Sequence, residues 1–523
     1  MPHTRSPHLG RVAAALALGL LCTLGPGALG AARSLETSPQ ITPGSTRIAG
    51  SVNARDDLLQ SRGQMMRTIK DLVGMAPRAT GTKGGKRAAR YVARRFRAAG
   101  LDKVWIEKNV SYSWRAKGHG LSVAGTALDV HPIGFSMIDG PTATGTRTLG
   151  TQGLTAPVVD LTKDPNADVR GKIAVVDLKF QMPLAAMVPF IEFVHDPDRE
   201  TLDAQTMLTK NPYITSLSSS IKSLQAKGAV GMIGVLADYF DSNKYYNEYY
   251  RRTPMKIPGM WITKREAVRL RTLLARTPRA TMRLTTVRKK VVARTPMGVL
   301  NGRSPDTIQV QSHHDSLGPG AVEDASGVAE VVALADYYGA LARTGQRRSK
   351  TLMFTTFDTH FTGYQAHMGF VDKYVKNPRS PYRIVANTTI EHIAKKAVVK
   401  NGELVFTKQT EPRGFFENVS LPLKAELARI ILARDLRGTT ILNGTLFQPL
   451  TLPTDASFVQ SAGVPTISLI AGPVYLYDEI DDLRAIDRPE LRPMLLAQRD
   501  LIDAFEATRS SGIGFLPPLP GLL

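Results

Sequence analysis

Residues 307–338 read TIQVQSHHDSLGPGAVEDASGVAEVVALADYY, and this stretch decides the fold. Ile308 and Val310 alternate with polar neighbours, the pattern of a strand of about six residues. His313, His314 and Asp315 stand at its end, Gly318, Pro319 and Gly320 make a turn, and Glu323 and Asp324 follow. From about Ala325 the period changes, and Val328, Val331, Val332 and Ala335 share one helical face. Imidazoles and carboxylates gathered where a strand ends and a helix begins describe a metal or catalytic site in an open α/β sheet. Asp324 and Ser326 also suit a plain helix cap. His313 and Asp315 just upstream tip the reading towards a site.

Downstream the α/β rhythm continues. Strands are expected at 307–312, 352–357, 384–390 and 466–469, with helices near 325–342, 362–375, 422–434 and 491–507. Upstream, a helix is expected over 57–72, a basic helix runs to Gly100, and 105–110 reads as a strand. Between 121 and 288 short apolar strands recur at 156–159, 172–178 and 230–236, and a helix over 264–274 closes the block. The expected fold class is α/β: residues 57–120 and 289–508 form one domain with a mostly parallel central sheet and helices on both faces. Residues 121–288 are expected as a small β-rich insertion beside the site mouth that stays off the main sheet. Its loop with Tyr245, Tyr246, Tyr249, Tyr250, Arg251 and Arg252 reads as ordinary surface packing, with a substrate rim as the alternative. Residues 509–523 read as a loose tail.

At the start of the chain, Arg5 and Arg11 precede an apolar run over 12–24, followed by small residues. Residues 1–32 therefore read as a secretory signal peptide, which places the protein outside the cytoplasm, in the periplasm, at the cell surface or secreted. A mitochondrial presequence fits less well, because the run is apolar rather than amphipathic. Residues 33–56, rich in Ser, Thr, Pro and Gly, read as a linker. The single cysteine, Cys22, lies inside the leader, so the mature chain has no disulfide, zinc–thiolate site or cysteine nucleophile. Leu21 argues against a lipid anchor there. No later run is long and apolar enough to span a membrane.

The formal net charge is +22. Its densest patch is Lys86, Arg87, Arg90, Arg94, Arg95 and Arg97, on a helix whose apolar face carries Ala89, Val92, Phe96 and Ala99. A solvated helix face is the ordinary reading. The charge also favours anionic cell-surface polymers as partners. No nucleic-acid module accompanies it.

From residue 307 onward the chain resembles the secreted two-zinc aminopeptidases and carboxypeptidases, the peptidase M28-like family. The resemblance rests on Ser312-His313-His314-Asp315-Ser316, Gly318-Pro319-Gly320-Ala321, Ala325-Ser326-Gly327-Val328-Ala329, the run LMFTTFDTHFTG from Leu352, Asp455-Ala456-Ser457-Phe458, and Ala462-Gly463-Val464-Pro465-Thr466-Ile467. Val169-Arg170-Gly171-Lys172-Ile173 and Lys227-Gly228-Ala229-Val230-Gly231 are similar to the protease-associated domain inserted in many members. The resemblance implies a zinc-exopeptidase fold and aminopeptidase-type hydrolysis of peptide or protein substrates by a metal-activated water. It makes His313 a metal ligand and Asp315 the carboxylate that orients it. Glu323 stands where the family has a bridging Asp. His360 and Phe361 stand where it has a general-base Glu and a ligand Glu, Glu391 where it has a carboxylate ligand, and Leu476 where it has its last ligand His.

The implied metal set is therefore His313, Glu323 and Glu391, with Asp324 and His392 as adjoining alternatives. Asp315 and His360 are the implied catalytic residues. Zinc is the implied cofactor, with one ion rather than two, since Phe361 and Leu476 remove a ligand from each half of the site. The same substitutions leave open a catalytically inactive peptidase-fold binding or structural protein at the cell surface. A serine hydrolase is disfavoured, because Ser316 and Ser326 lack a nucleophile-elbow context.

Overall fold

The strand that ends in His313, Asp306–His313, lies inside a mixed sheet with parallel neighbours on both sides, Thr351–Phe357 and Arg383–Ile390. Beyond Arg383–Ile390 the order continues through Thr466–Ala471, Arg413–Glu417, Thr439–Asn443 and Ile191–His195. Beyond Thr351–Phe357 the sheet is joined antiparallel by the end of a long strand, Arg279–Leu300. The computed structural model describes residues 55–514 apart from 182, 200, 211, 213, 214, 247–253 and 447–451. The expected signal peptide, nearly all of the linker, Tyr249 to Arg252 of the aromatic loop and residues 515–523 of the tail lie outside the described residues.

Alternation along the strands builds a core on each face of the sheet. In Thr351–Phe357, Leu352 and Phe354 enter the larger core, with Val328, Val331 and Leu495. Met353 and Phe357 enter the opposite one, with Phe370, Tyr374 and Val459. The first face is covered by helices Arg62–Val73, Lys83–Ala99, Gly327–Arg343 and Leu491–Ala507, the second by Gln365–Phe370 and Ser457–Ser461. The expected α/β class, with a central sheet and helices on both faces, is what the structure shows.

Strands Leu154–Asp160, Ile173–Leu178, Gly231–Leu236 and Gly259–Ile262 form a second, parallel group, backed by helices Leu217–Ala226 and Lys264–Leu274. Two features differ from the expected layout. The strand expected at 105–110 is part of Lys103–Val123, which pairs antiparallel with Arg279–Leu300 in one ribbon. That ribbon crosses the expected boundary near 288 and joins both groups of strands. In addition, Ile191–His195, from within the block 121–288, pairs with Thr439–Asn443 on the far edge of the main sheet. The block therefore does not stay off that sheet. Its Ile191 and Phe193 give this strand an apolar side to bury against the edge.

The beginning of the tail is also held. Ile513 is fully buried, and its carbonyl accepts the Ser420 N–H at 2.8 Å. Among the described residues no helix is long and apolar enough to cross a membrane.

Candidate metal centre

The carboxyl ends of three adjacent parallel strands supply the imidazoles. His313 ends its strand, His360 follows Phe357 by three residues, and His392 follows Ile390 by two. The loop after His313 brings Glu323 back over these ends. Its path depends on Gly320, whose φ of 57° is left-handed and where a Cβ would meet the Glu323 carbonyl at 2.2 Å. Arg78, fully buried, pins the same loop by donating to the carbonyls of His314 at 2.8 Å, Pro319 at 2.6 Å and Gly320 at 2.8 Å. Asp481 accepts the N–H groups of Val322 at 2.8 Å and Glu323 at 2.9 Å.

The result is a buried carboxylate ringed by three imidazoles. The Nε2 atoms of His313, His360 and His392 lie 3.2, 3.3 and 2.6 Å from Glu323 oxygens. Each ring is oriented from its other nitrogen. His313 Nδ1 donates to the Asp315 carbonyl at 3.1 Å, His392 Nδ1 to the Ala471 carbonyl at 2.7 Å, and His360 Nδ1 to Asp455 Oδ1 at 2.8 Å. Fixing one nitrogen in this way leaves the other as the acceptor a metal requires. His313 Nε2 and both Glu323 oxygens are buried with no well-directed hydrogen bond, which is the condition of atoms built to hold an ion. Two groups have ligand atoms close enough for one ion: His313 with Glu323 and His392, and His313 with His360 and Asp455.

The electrostatics agree. Burial works to raise the Glu323 carboxyl, yet His392 and His313 hold it well below its usual range. Burial works to lower His392, but Glu323 overrides this and pushes it up to about 9. His313 is likewise raised against burial by Asp315 and Glu323. The cluster demands positive charge, whether as protons or as a divalent cation.

The other residues singled out in the sequence fall around this ring. Asp315 lies behind His313, 3.6 Å from its Nδ1, and accepts the N–H groups of His360 and Phe361 at 3.2 Å each. Asp324 accepts Ser312 Oγ at 2.5 Å, the Gly327 N–H at 3.1 Å and the His392 N–H at 3.3 Å; burial pushes it up to about 6. It holds the loop, the helix start and the His392 backbone together. Glu391 gives an oxygen to the Asp455 N–H at 2.9 Å, and burial with Asp455 nearby pushes it up to about 8. It belongs to neither ion-sized group, whereas the neighbouring His392 belongs to one. His314 donates Nδ1 to the Thr356 carbonyl at 3.0 Å, a structural role.

Two functional candidates had no assigned role in the sequence. Asp455 bridges two imidazoles, accepting from His360 and, at 2.9 Å, from His367 Nε2. His367 stands seven residues after His360 and stacks on Phe357, ring centroids 4.1 Å apart. The chain between them turns through left-handed Gly363 and Tyr364, so no helical spacing announced the pair. Phe361 closes one side of the ring, its centroid 4.7 Å from His360 and 6.0 Å from His313. Tyr246, from the block 121–288, sits 5.6 Å from Phe361, and Tyr477 6.3 Å from it. The described part of the aromatic loop thus lines the site rather than an ordinary surface.

The fold with its ligand cluster at the strand ends defines a zinc-exopeptidase architecture. Residues 296–501 match the model of peptidase family M28. A sequence search of curated proteins finds no match. Among solved structures, BSAP, a zinc aminopeptidase from Bacillus subtilis, is 18% identical with a TM-score of 0.60, covering 87% of this chain and 98% of its own. The peptidase M28 precursor from Shewanella amazonensis is 18% identical with a TM-score of 0.61, covering 88% and 97%. The aminopeptidase from Aneurinibacillus sp. strain AM-1 is 15% identical with a TM-score of 0.56, covering 89% and 98%. Over residues 296–501 the chain is similar to peptidase family M28, and its fold is that of these zinc aminopeptidases.

Proposed function

We propose that this chain is a secreted, zinc-dependent exopeptidase of aminopeptidase type, working through a one-ion site rebuilt around Glu323. The observation that carries the reading is the convergence of three oriented Nε2 atoms on one buried carboxylate. The M28 match and the zinc aminopeptidase neighbours support the reaction class, and the leader-like residues 1–32 support secretion.

His313, Glu323 and His392 would hold the ion. One ion is favoured because both ion-sized groups use His313, whose Nδ1 is committed to Asp315, so its single free nitrogen serves one group at a time. When bound, zinc supplies Lewis-acid polarisation of the scissile carbonyl and acidifies a water. His360 Nε2 takes the proton of the attacking water and returns it to the leaving amine. Asp455, holding His360 Nδ1–H, keeps Nε2 in the accepting tautomer. Asp315 holds the His313 loop and the His360 backbone in register. Phe361, Tyr246 and Tyr477 shield the reacting atoms from bulk water. Glu391 and Asp324 support the site through Asp455 and His392 rather than as ligands.

The test is elemental analysis of the mature chain with hydrolysis of aminoacyl and peptidyl anilides. One zinc per chain is expected. His313→Ala should abolish both metal and turnover, while His360→Ala should lower turnover at full zinc, since a ligand sets occupancy and a base acts in the transition state. Two zinc ions per chain would overturn the one-ion site. Bound zinc without hydrolysis of either substrate class would make the chain a peptidase-fold binding protein.

A further inference from the structure

The helix Lys83–Ala99 carries seven cations and no carboxylate in 17 residues. Lys83, Arg87, Arg90, Arg94 and Arg97 follow one another at steps of four, three, four and three, so they form a single row on one face. All five are exposed. Ala88, Val92 and Phe96 on the opposite side are buried in the core. Among the described residues the five have no ion-pair partner, whereas Arg95, off the row, is paired with Asp336 at 2.9 Å. The row is about 21 Å long at ~1.5 Å per residue. The neighbouring helix Arg62–Val73, tied to it by Arg95 Nη1 on Thr68 Oγ1 at 2.8 Å, carries exposed Arg62, Arg67 and Lys70 alongside exposed Asp71.

Local helix energetics oppose this arrangement. Like charges four apart repel, and cations in the first turn oppose the helix dipole with no acid there to offset them. Natural chains break such local rules chiefly at functional sites, which sets this row apart from an ordinary solvated face.

We infer that this row binds a linear acidic polysaccharide. The row offers charge alone. It exposes no large apolar side chain for insertion into a bilayer. Of the two aromatics on its helix, Phe96 is buried in the core and Tyr91 is half-buried and engaged by Arg95 at 3.1 Å, so there is no platform for stacking bases. A straight row of cations at one-turn spacing matches a flexible chain of regularly spaced carboxylates. The inference is independent of the peptidase reading.

The experiment titrates the full mature chain with polygalacturonate between 50 and 200 mM NaCl. Binding that weakens steeply with salt is expected. The variant Arg87→Gln/Arg90→Gln/Arg94→Gln should bind at least tenfold more weakly and show a shallower salt slope, by about two in the logarithmic plot if each lost contact releases ~0.7 counterions. A control, Arg283→Gln/Lys289→Gln/Lys290→Gln, removes the same charge from exposed positions elsewhere. Equal losses in both variants would reduce the effect to net charge and overturn the site. Tighter binding to duplex DNA or to phosphatidylglycerol vesicles than to polygalacturonate would overturn the partner. Zinc content should be the same in all three proteins.

Discussion

Replacing His392 by Ala tests the site more sharply than any other single change. Its Nε2 makes the shortest approach to Glu323, 2.6 Å, and its ring is held by Ala471 from the other side. A structural zinc site is worth roughly 12 kcal/mol, so one of four ligand positions contributes ~3 kcal/mol, or about two decades of affinity. His392→Ala should therefore weaken zinc binding by about 100-fold. Glu391→Gln keeps an oxygen for the Asp455 N–H and should cost about tenfold, the low end of what losing a supporting partner costs. The assay is competition for zinc against a chromophoric chelator, with stoichiometry from elemental analysis. A thermal scan adds a second readout, since weaker binding at fixed zinc lowers the apparent melting temperature. If Glu391→Gln loses the ion and His392→Ala keeps it, the ring of imidazoles is not the metal site and the family's carboxylate ligand has been retained.

Four further outcomes are expected. Asp455→Asn should lower turnover more than zinc content, and His367→Gln should do the same more weakly, measured by kcat alongside elemental analysis. Tyr246→Ala should speed zinc removal by a chelator at unchanged equilibrium affinity, because its ring closes the wall against Phe361. Arg78→Met strands three carbonyls of the site loop, at roughly 1–3 kcal/mol each, and should destabilise the fold by at least about 3 kcal/mol in chemical denaturation. In the chelated protein, His392 is raised from 6.5 to about 9, so its contribution is complete below pH 6.5 and disappears as pH rises towards 9, a loss of about 3 kcal/mol that zinc should suppress.

Regular elements with a clear period were legible: the helices Lys264–Leu274 and Leu491–Ala507 and the parallel strands around His313 fall where their apolar spacing puts them. The ribbon was not. Arg279–Leu300 includes Arg288, Lys289 and Lys290 in mid-strand, and a polar break there reads as an end unless the partner strand is known. His313 and Glu323 drew attention as an imidazole and a carboxylate lying between a strand and a helix, His360 only through the family resemblance, and the structure places the three side by side. The choice between Glu391 and His392 was not legible, because His392 has a φ of 65°. That left-handed turn re-aims the chain just past the strand, and no side-chain pattern announces it. Asp455 is distant in sequence from the imidazoles it joins, and only the fold makes it their neighbour.

The block 121–288 is fastened at both margins of the main sheet, by the ribbon on one side and by Ile191–His195 on the other. In mechanical terms it is an arch with two footings. At ~3.3 Å per residue the 21-residue strand Lys103–Val123 is a girder about 70 Å long. An arch cannot swing open like a door. It can only flex between its footings, and a single cut in the backbone would leave it standing on the other one.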